Sequence, residues 1–149
     1  MTRPNPIDSL NRLLQLVYRS LPVYLDGVQP WVAPGKEAAL ELLRRMAADH
    51  RRYAERLVAA IRQSGARPEF GSFPAFFTGV HDLSLDYLLR RVRESQRGAV
   101  HEIDRCTADL AGQSRWQWLA DEILGNTQGY LEMLEELGIG NPCWADAGF

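Results

Sequence analysis

Apolar residues recur along this chain at alternating spacings of three and four, in four long blocks. The first is Leu10, Leu14, Val17, Leu21 and Tyr24; the second is Leu40, Leu43, Ala47, His50, Ala54, Leu57 and Ile61. The third is Leu85, Leu89, Val92, Gln96, Ala99, Ile103, Cys106 and Leu110; the fourth is Trp116, Ala120, Ile123, Thr127, Tyr130, Leu134 and Leu137. Such spacing lines up one face of a helix. It predicts four amphipathic helices over about 6–26, 35–63, 83–111 and 115–137, followed by a tail over 138–149. The punctuation agrees. Asn5 is a good N-cap and Pro6 suits the first helical position. Ser64-Gly65 and the Gly138/Gly140 pair mark stops. Pro22 lies inside the first pattern and is expected to kink that helix, since it lacks an N–H and clashes with the preceding turn.

The connections fix the topology. A short turn at 111–115 makes the third and fourth helices antiparallel neighbours. The stretch 65–81 is long, and a crossover running the length of a bundle makes the second and third helices parallel. The fold class expected is therefore all-α, one four-helix-bundle domain over 1–149. The crossover carries Phe70, Phe73, Phe76 and Phe77. Packing along the outside of the bundle is the plain expectation for them; a lid or docking surface, with His81 and Asp82 at its exit, is the sharper one.

Composition narrows the function. A chain of 149 residues that is 46% hydrophobic and 24% charged suits one globular domain able to bury a full core. Net charge is −2, Lys36 is the only lysine, and the arginines alternate with acids, so nucleic acid is not an expected partner. The arginine pairs read as a solvated face with local ion pairs. Two cysteines make neither a disulfide framework nor a zinc motif. No apolar run has the length of a membrane span, and 1–6 lacks the apolar core of a signal peptide; a cytoplasmic protein is the expectation.

Chemistry is sought where polar residues interrupt the apolar stripes. His50, Gln96, Thr127 and Tyr130 do so at mid-height, and Val17 and Ala47 lie level with them. Four segments give the chain a likeness. They are Leu10-Asn-Arg-Leu-Leu-Gln-Leu-Val-Tyr18, Ala47-Ala-Asp-His50, Leu88-Leu-Arg-Arg-Val-Arg-Glu-Ser-Gln96, and Asn126-Thr-Gln-Gly-Tyr130 with its apolar continuation. In these the chain resembles the ferritin-like superfamily, bacterioferritin above all. The resemblance implies a bundle whose first and third helices each give one Glu, and whose second and fourth each give Glu-x-x-His, to a pair of metal ions. Carried over position by position, it places Val17, Ala47, Gln96 and Thr127 where that family has carboxylates. It keeps His50 and places Tyr130 where the second His would stand. Two ions with four positive charges between them need several anionic oxygens. One imidazole, one amide, one hydroxyl and one phenol do not supply them. No metal, no other cofactor, no catalytic residue and no ferroxidase activity are expected. A hydrogen-bonded network among His50, Gln96, Thr127 and Tyr130 is expected to fill the space.

Two functions then compete. One is a non-catalytic ferritin-like protein acting through protein interaction or scaffolding, a homodimer in the simplest case. Its apolar anchors would be Trp31, Phe73, Phe76, Phe77, Trp144 and Phe149. The other is a small-molecule-binding protein or enzyme using a mid-bundle pocket, with His50 as general base and Tyr130 as proton donor.

Overall fold

The computed structural model describes residues 5–28, 37–72 and 85–137. Five helical segments form four arms: α1 (Pro6–Tyr18) and α2 (Leu21–Val28), then α3 (Glu37–Gln63), α4 (Leu85–Asp109) and α5 (Ser114–Glu136). The expected positions Trp31, Phe73, Phe76, Phe77, Trp144 and Phe149, with His81 and Asp82, lie outside the described residues.

The first arm differs from the sequence expectation. Pro22 does not kink one continuous helix. The helix ends at Arg19, whose N–H still bonds Gln15 O, and a new one starts at Leu21. Pro22 thus falls in the first turn of α2, where a missing N–H costs nothing. The break leaves Ser20 between the two pieces, buried at 6% exposure. Asn5 caps α1 as expected: its side-chain oxygen accepts from Ile7 N at 3.0 Å. Gly65 (φ 80°) and Gly112 (φ 90°) take the left-handed conformation that ends α3 and turns α4 into α5.

Cross-helix partners give the order of the arms. Arg12 meets Glu102 at 2.9 Å, Arg51 meets Asp26 at 2.6 Å, Arg97 meets Glu135 at 3.3 Å, and Arg56 meets Glu122. These four pairs cross four different seams: α1–α4, α2–α3, α4–α5 and α3–α5. The core residues give the directions: the early part of the first arm packs with the late parts of α3 and α4 and the early part of α5, and its later part packs with their opposite ends, so adjacent arms are antiparallel. The arginines thus do more than form local pairs along one helix. Exposed pairs of this kind contribute little stability, about 0–1 kcal/mol each, and chiefly favour one pairing of helices over another.

The start of the crossover is laid along α1 by three side chains at four-residue spacing. Asn11 donates to Arg67 O and accepts from Glu69 N at 2.8 Å; Gln15 donates to Glu69 O at 3.3 Å; Arg19 donates to Ser72 O at 3.0 Å. Phe70 rests on Tyr18 with ring centroids 4.9 Å apart. That is the expected outside packing, for the part of the crossover that is described.

The core splits into two apolar clusters. One is built on Leu10, Leu13, Leu14, Leu57, Ile61 and Ile103; the other on Leu21, Leu25, Met46, Leu88, Leu89 and Leu134. A buried leucine adds roughly 2 kcal/mol in transfer free energy, so each cluster outweighs any ion pair on the surface. Leu40 and Leu137, expected inside, are only partly buried and 42% exposed respectively, because each sits near a helix end.

Candidate functional site at the bundle centre

The level between the two clusters is polar. On α3 one cluster uses 39–46 and the other 53–61; on α4 they use 85–92 and 103–110; on α5, 130–134 and 119–123. The gaps hold His50, Gln96 and Thr127, and the break in the first arm adds Ser20; all four are buried. Ala47 is fully buried at this level, Val17 closes it from one cluster and Tyr130 from the other. The structure therefore brings the six sequence-predicted positions to one height of the bundle.

It does not join them into one network. His50 Nδ1 is hydrogen-bonded to Ser20 Oγ at 2.7 Å. Thr127 donates to Ile123 O of its own helix at 2.9 Å, a common resort of hydroxyls in helices. Tyr130 turns to the α3–α5 seam and donates its phenol proton to Asp49 Oδ2. Gln96 Oε1 is buried with no hydrogen-bond partner among the described residues. The expected bond of phenol to imidazole gives way to bonds to Asp49 and Ser20, and in place of the expected amide-to-hydroxyl bond Thr127 bonds its own helix. The partners found for His50, Tyr130 and Thr127 are Ser20 at the helix break, Asp49 one residue before His50, and a backbone carbonyl four residues back.

Ser20 and Asp49 are the two residues that sequence reasoning missed. Ser20 was hidden because a continuous first helix puts it off the inner stripe. Asp49 lies off the α3 stripe as well and is only partly buried. There it is the centre of a small polar cluster, accepting from Tyr130, from Asn126 Nδ2 at 3.1 Å, and pairing with Arg52 at 3.0 Å.

Electrostatics follow from these contacts. Burial pushes the His50 pKa down to about 4, against the weaker opposing pull of Asp49, so the ring is neutral at pH 7. Burial, then the Asp49 hydrogen bond and charge, push the Tyr130 phenol up to about 12. Burial alone would raise the Asp49 carboxyl, but bonds from Tyr130 and Asn126 and the Arg52 charge together hold it below the usual range. A ring with so low a pKa is a weak general base, and a phenol with so high a pKa is a weak acid. The two groups needed for one catalytic pocket are also bonded in different directions, His50 to the first arm and Tyr130 to the seam.

As a donor set these residues do not fit a di-metal centre. Val17 and Ala47 offer hydrocarbon, Thr127 and Tyr130 keep their protons for other oxygens, and Nδ1 of the one imidazole is taken by Ser20. Among the described residues no three His, Cys, Asp or Glu side chains stand together as ion ligands. No described helix is long and apolar enough to cross a membrane.

The architecture is nevertheless one with known relatives in shape. It is the ferritin-like four-helix bundle: antiparallel neighbours, with the long crossover joining the second and third arms. A ferritin-like, diiron-carboxylate protein from Bacillus anthracis str. Ames superposes with a TM-score of 0.74 at 15% identity, covering 89% of this chain and 94% of its own. A dodecameric thioferritin, the bacterioferritin-related protein from Bacteroides fragilis, gives 0.72 at 16% identity, covering 91% and 85%. At such identities the likeness is one of fold. No protein-family model matches the sequence, and no curated protein matches it either.

Proposed function

We propose that this chain is a non-catalytic ferritin-like protein that acts through protein association, with itself in the simplest case, and that the di-iron chemistry of the fold has been lost. The observation that carries the proposal is the chemistry of the mid-bundle positions. Where a di-metal protein of this fold needs carboxylates, this chain has Val17, Ala47, Gln96 and Thr127, and the remaining donors serve other partners. The apolar-and-polar filling lets the bundle close without a metal. The dodecameric assembly named for the Bacteroides fragilis protein supports self-association as a use to which this bundle shape is put.

Sedimentation equilibrium on the purified chain, combined with elemental analysis after dialysis against a chelator, tests both halves. The expected result is a self-associated species carrying a negligible fraction of an ion per chain. A strict monomer at high concentration would remove the association, and one or two ions per chain, the number a di-metal bundle holds, would remove the loss of the centre.

A further inference from the structure

We propose that the cleft between the start of α1 and the end of α4 is a binding site for a small diamino carboxylic acid, a molecule of the type of free L-lysine. The cleft holds about 290 Å³ and shares no lining residue with the bundle centre. Its floor is Ser9 of α1 and Cys106 of α4, each only 5% exposed. Ser64, Thr107 and Thr127 each donate to the carbonyl four residues back. The Ser9 hydroxyl does not, and it has no hydrogen bond among the described residues. The carbonyl it would use, Asn5 O, already accepts from Asp8 N at 3.0 Å and from Ser9 N at 3.3 Å. A hydroxyl taken out of water without a partner costs free energy, so the place for its partner is the cleft it lines. Burial, then the Asp109 charge, push the Cys106 thiol up to about 11, so the sulfur brings no charge to the floor at pH 7.

The charges on the rim choose the occupant. Arg12 and Glu102 satisfy each other at 2.9 Å. Asp8, Arg105 and Asp109 are exposed, line the same cleft and take part in no ion pair among the described residues. Two carboxylates and one guanidinium are thus left over, and their complement carries two cations and one anion. Arg105 and Asp109 stand four residues apart on one face of α4, about 6 Å along its axis, in the order less favourable for pairing with each other. An α-amino acid spans them. Its carboxylate accepts from the Arg105 guanidinium, and its α-ammonium donates to Asp109 and to Ser9 Oγ. The C-terminal end of α4 adds partial negative charge beside Asp109, which favours the ammonium there. A second amine on the ligand's side chain donates to Asp8 across the seam. Bonds between ionised groups are the strong ones. A simple anion would face both carboxylates, and a simple diamine would leave Arg105 unmatched.

The full chain is titrated with L-lysine and, separately, with putrescine, which has the two amines without the carboxylate. Backbone amide NMR spectra report binding in the wild type, Ser9→Ala, Arg105→Gln and Asp109→Asn, and show that each is folded. Saturable binding of L-lysine with a Kd of about 1 mM or tighter is expected, with shifts centred on residues 8–9 and 105–109. Putrescine is expected to bind about tenfold more weakly. Arg105→Gln should bring L-lysine down to the level of putrescine and leave putrescine no weaker. Asp109→Asn should weaken both ligands about tenfold, and Ser9→Ala should weaken L-lysine several-fold. No saturable binding of L-lysine overturns the site. So do equal affinities for the two ligands in the wild type, and so does an Arg105→Gln chain that binds L-lysine as tightly as the wild type.

Discussion

His50→Asn is the perturbation that reads the bundle centre most cleanly through stability. Asn carries its amide close to where Nδ1 of the imidazole stands, so Ser20 keeps a hydrogen-bond partner while the titrating ring is removed. In the folded chain burial lowers the His50 pKa to about 4, from 6.5 when unperturbed. The unfolded chain therefore takes up a proton that the folded chain refuses. With a depressed pKa, the contribution of the neutral ring is complete above pH 6.5 and is lost as pH falls from there toward 4. Across the full interval the linkage is worth about 3 kcal/mol, and between pH 7 and pH 5 about 2 kcal/mol. For a chain of this size that corresponds to a fall in Tm of roughly 4–8 °C. Asp49, also depressed, loses its contribution only as pH falls below its ordinary value of 3.8, so it does not act in this window. The assay is urea unfolding at pH 7 and pH 5, followed by circular dichroism. The wild type is expected to lose about 2 kcal/mol between the two and His50→Asn to lose little. Equal losses in the two proteins would refute the burial of a neutral His50 at the centre.

Other substitutions probe neighbouring parts of the account. Ala47→Glu puts a carboxylate back at a fully buried position without partners and is expected to cost about 3 kcal/mol or more in urea unfolding. Gln96→Met removes, at similar volume, the buried carbonyl that has no partner among the described residues; unfolding should show no loss, or a gain of about 1 kcal/mol. Tyr130→Phe leaves Asp49 without its phenol donor and is expected to cost about 1–2 kcal/mol at pH 7, by the same measurement. Asn11→Ala removes both bonds that hold the crossover at Arg67 and Glu69; limited proteolysis should then cut near 67–72 several times faster.

Much of the fold is legible in the sequence because its signals are long. The α3 stripe repeats over three heptads, and Gly65 and Gly112 stop their helices where the pattern ends. The long crossover is visible as a span without periodicity, and its length sets the direction of the next helix. What could not be read depends on side chains meeting across helices. A proline inside an apolar pattern is compatible with a kink or with a break two residues earlier. Only the packed bundle shows that the break is favoured, with Ser20 brought to His50. Spacing also gives the height of Tyr130 without the direction its hydroxyl takes. Asp49, one position from His50, carries no periodic signal at all, and its partners Asn126 and Tyr130 lie on another helix. Asn11, Gln15 and Arg19 read as an ordinary polar edge of α1. Their common task appears only when the crossover lies against them.

The central claim concerns what fills the space among Val17, Ala47, His50, Gln96, Thr127 and Tyr130. Diffraction from crystals grown with Mn(II), recorded at the manganese absorption edge, tests it directly. No anomalous peak is expected at the mid-bundle level, with side chains or water in the density there. Two peaks about 3.5–4 Å apart, the separation of paired metal ions in proteins, would contradict it.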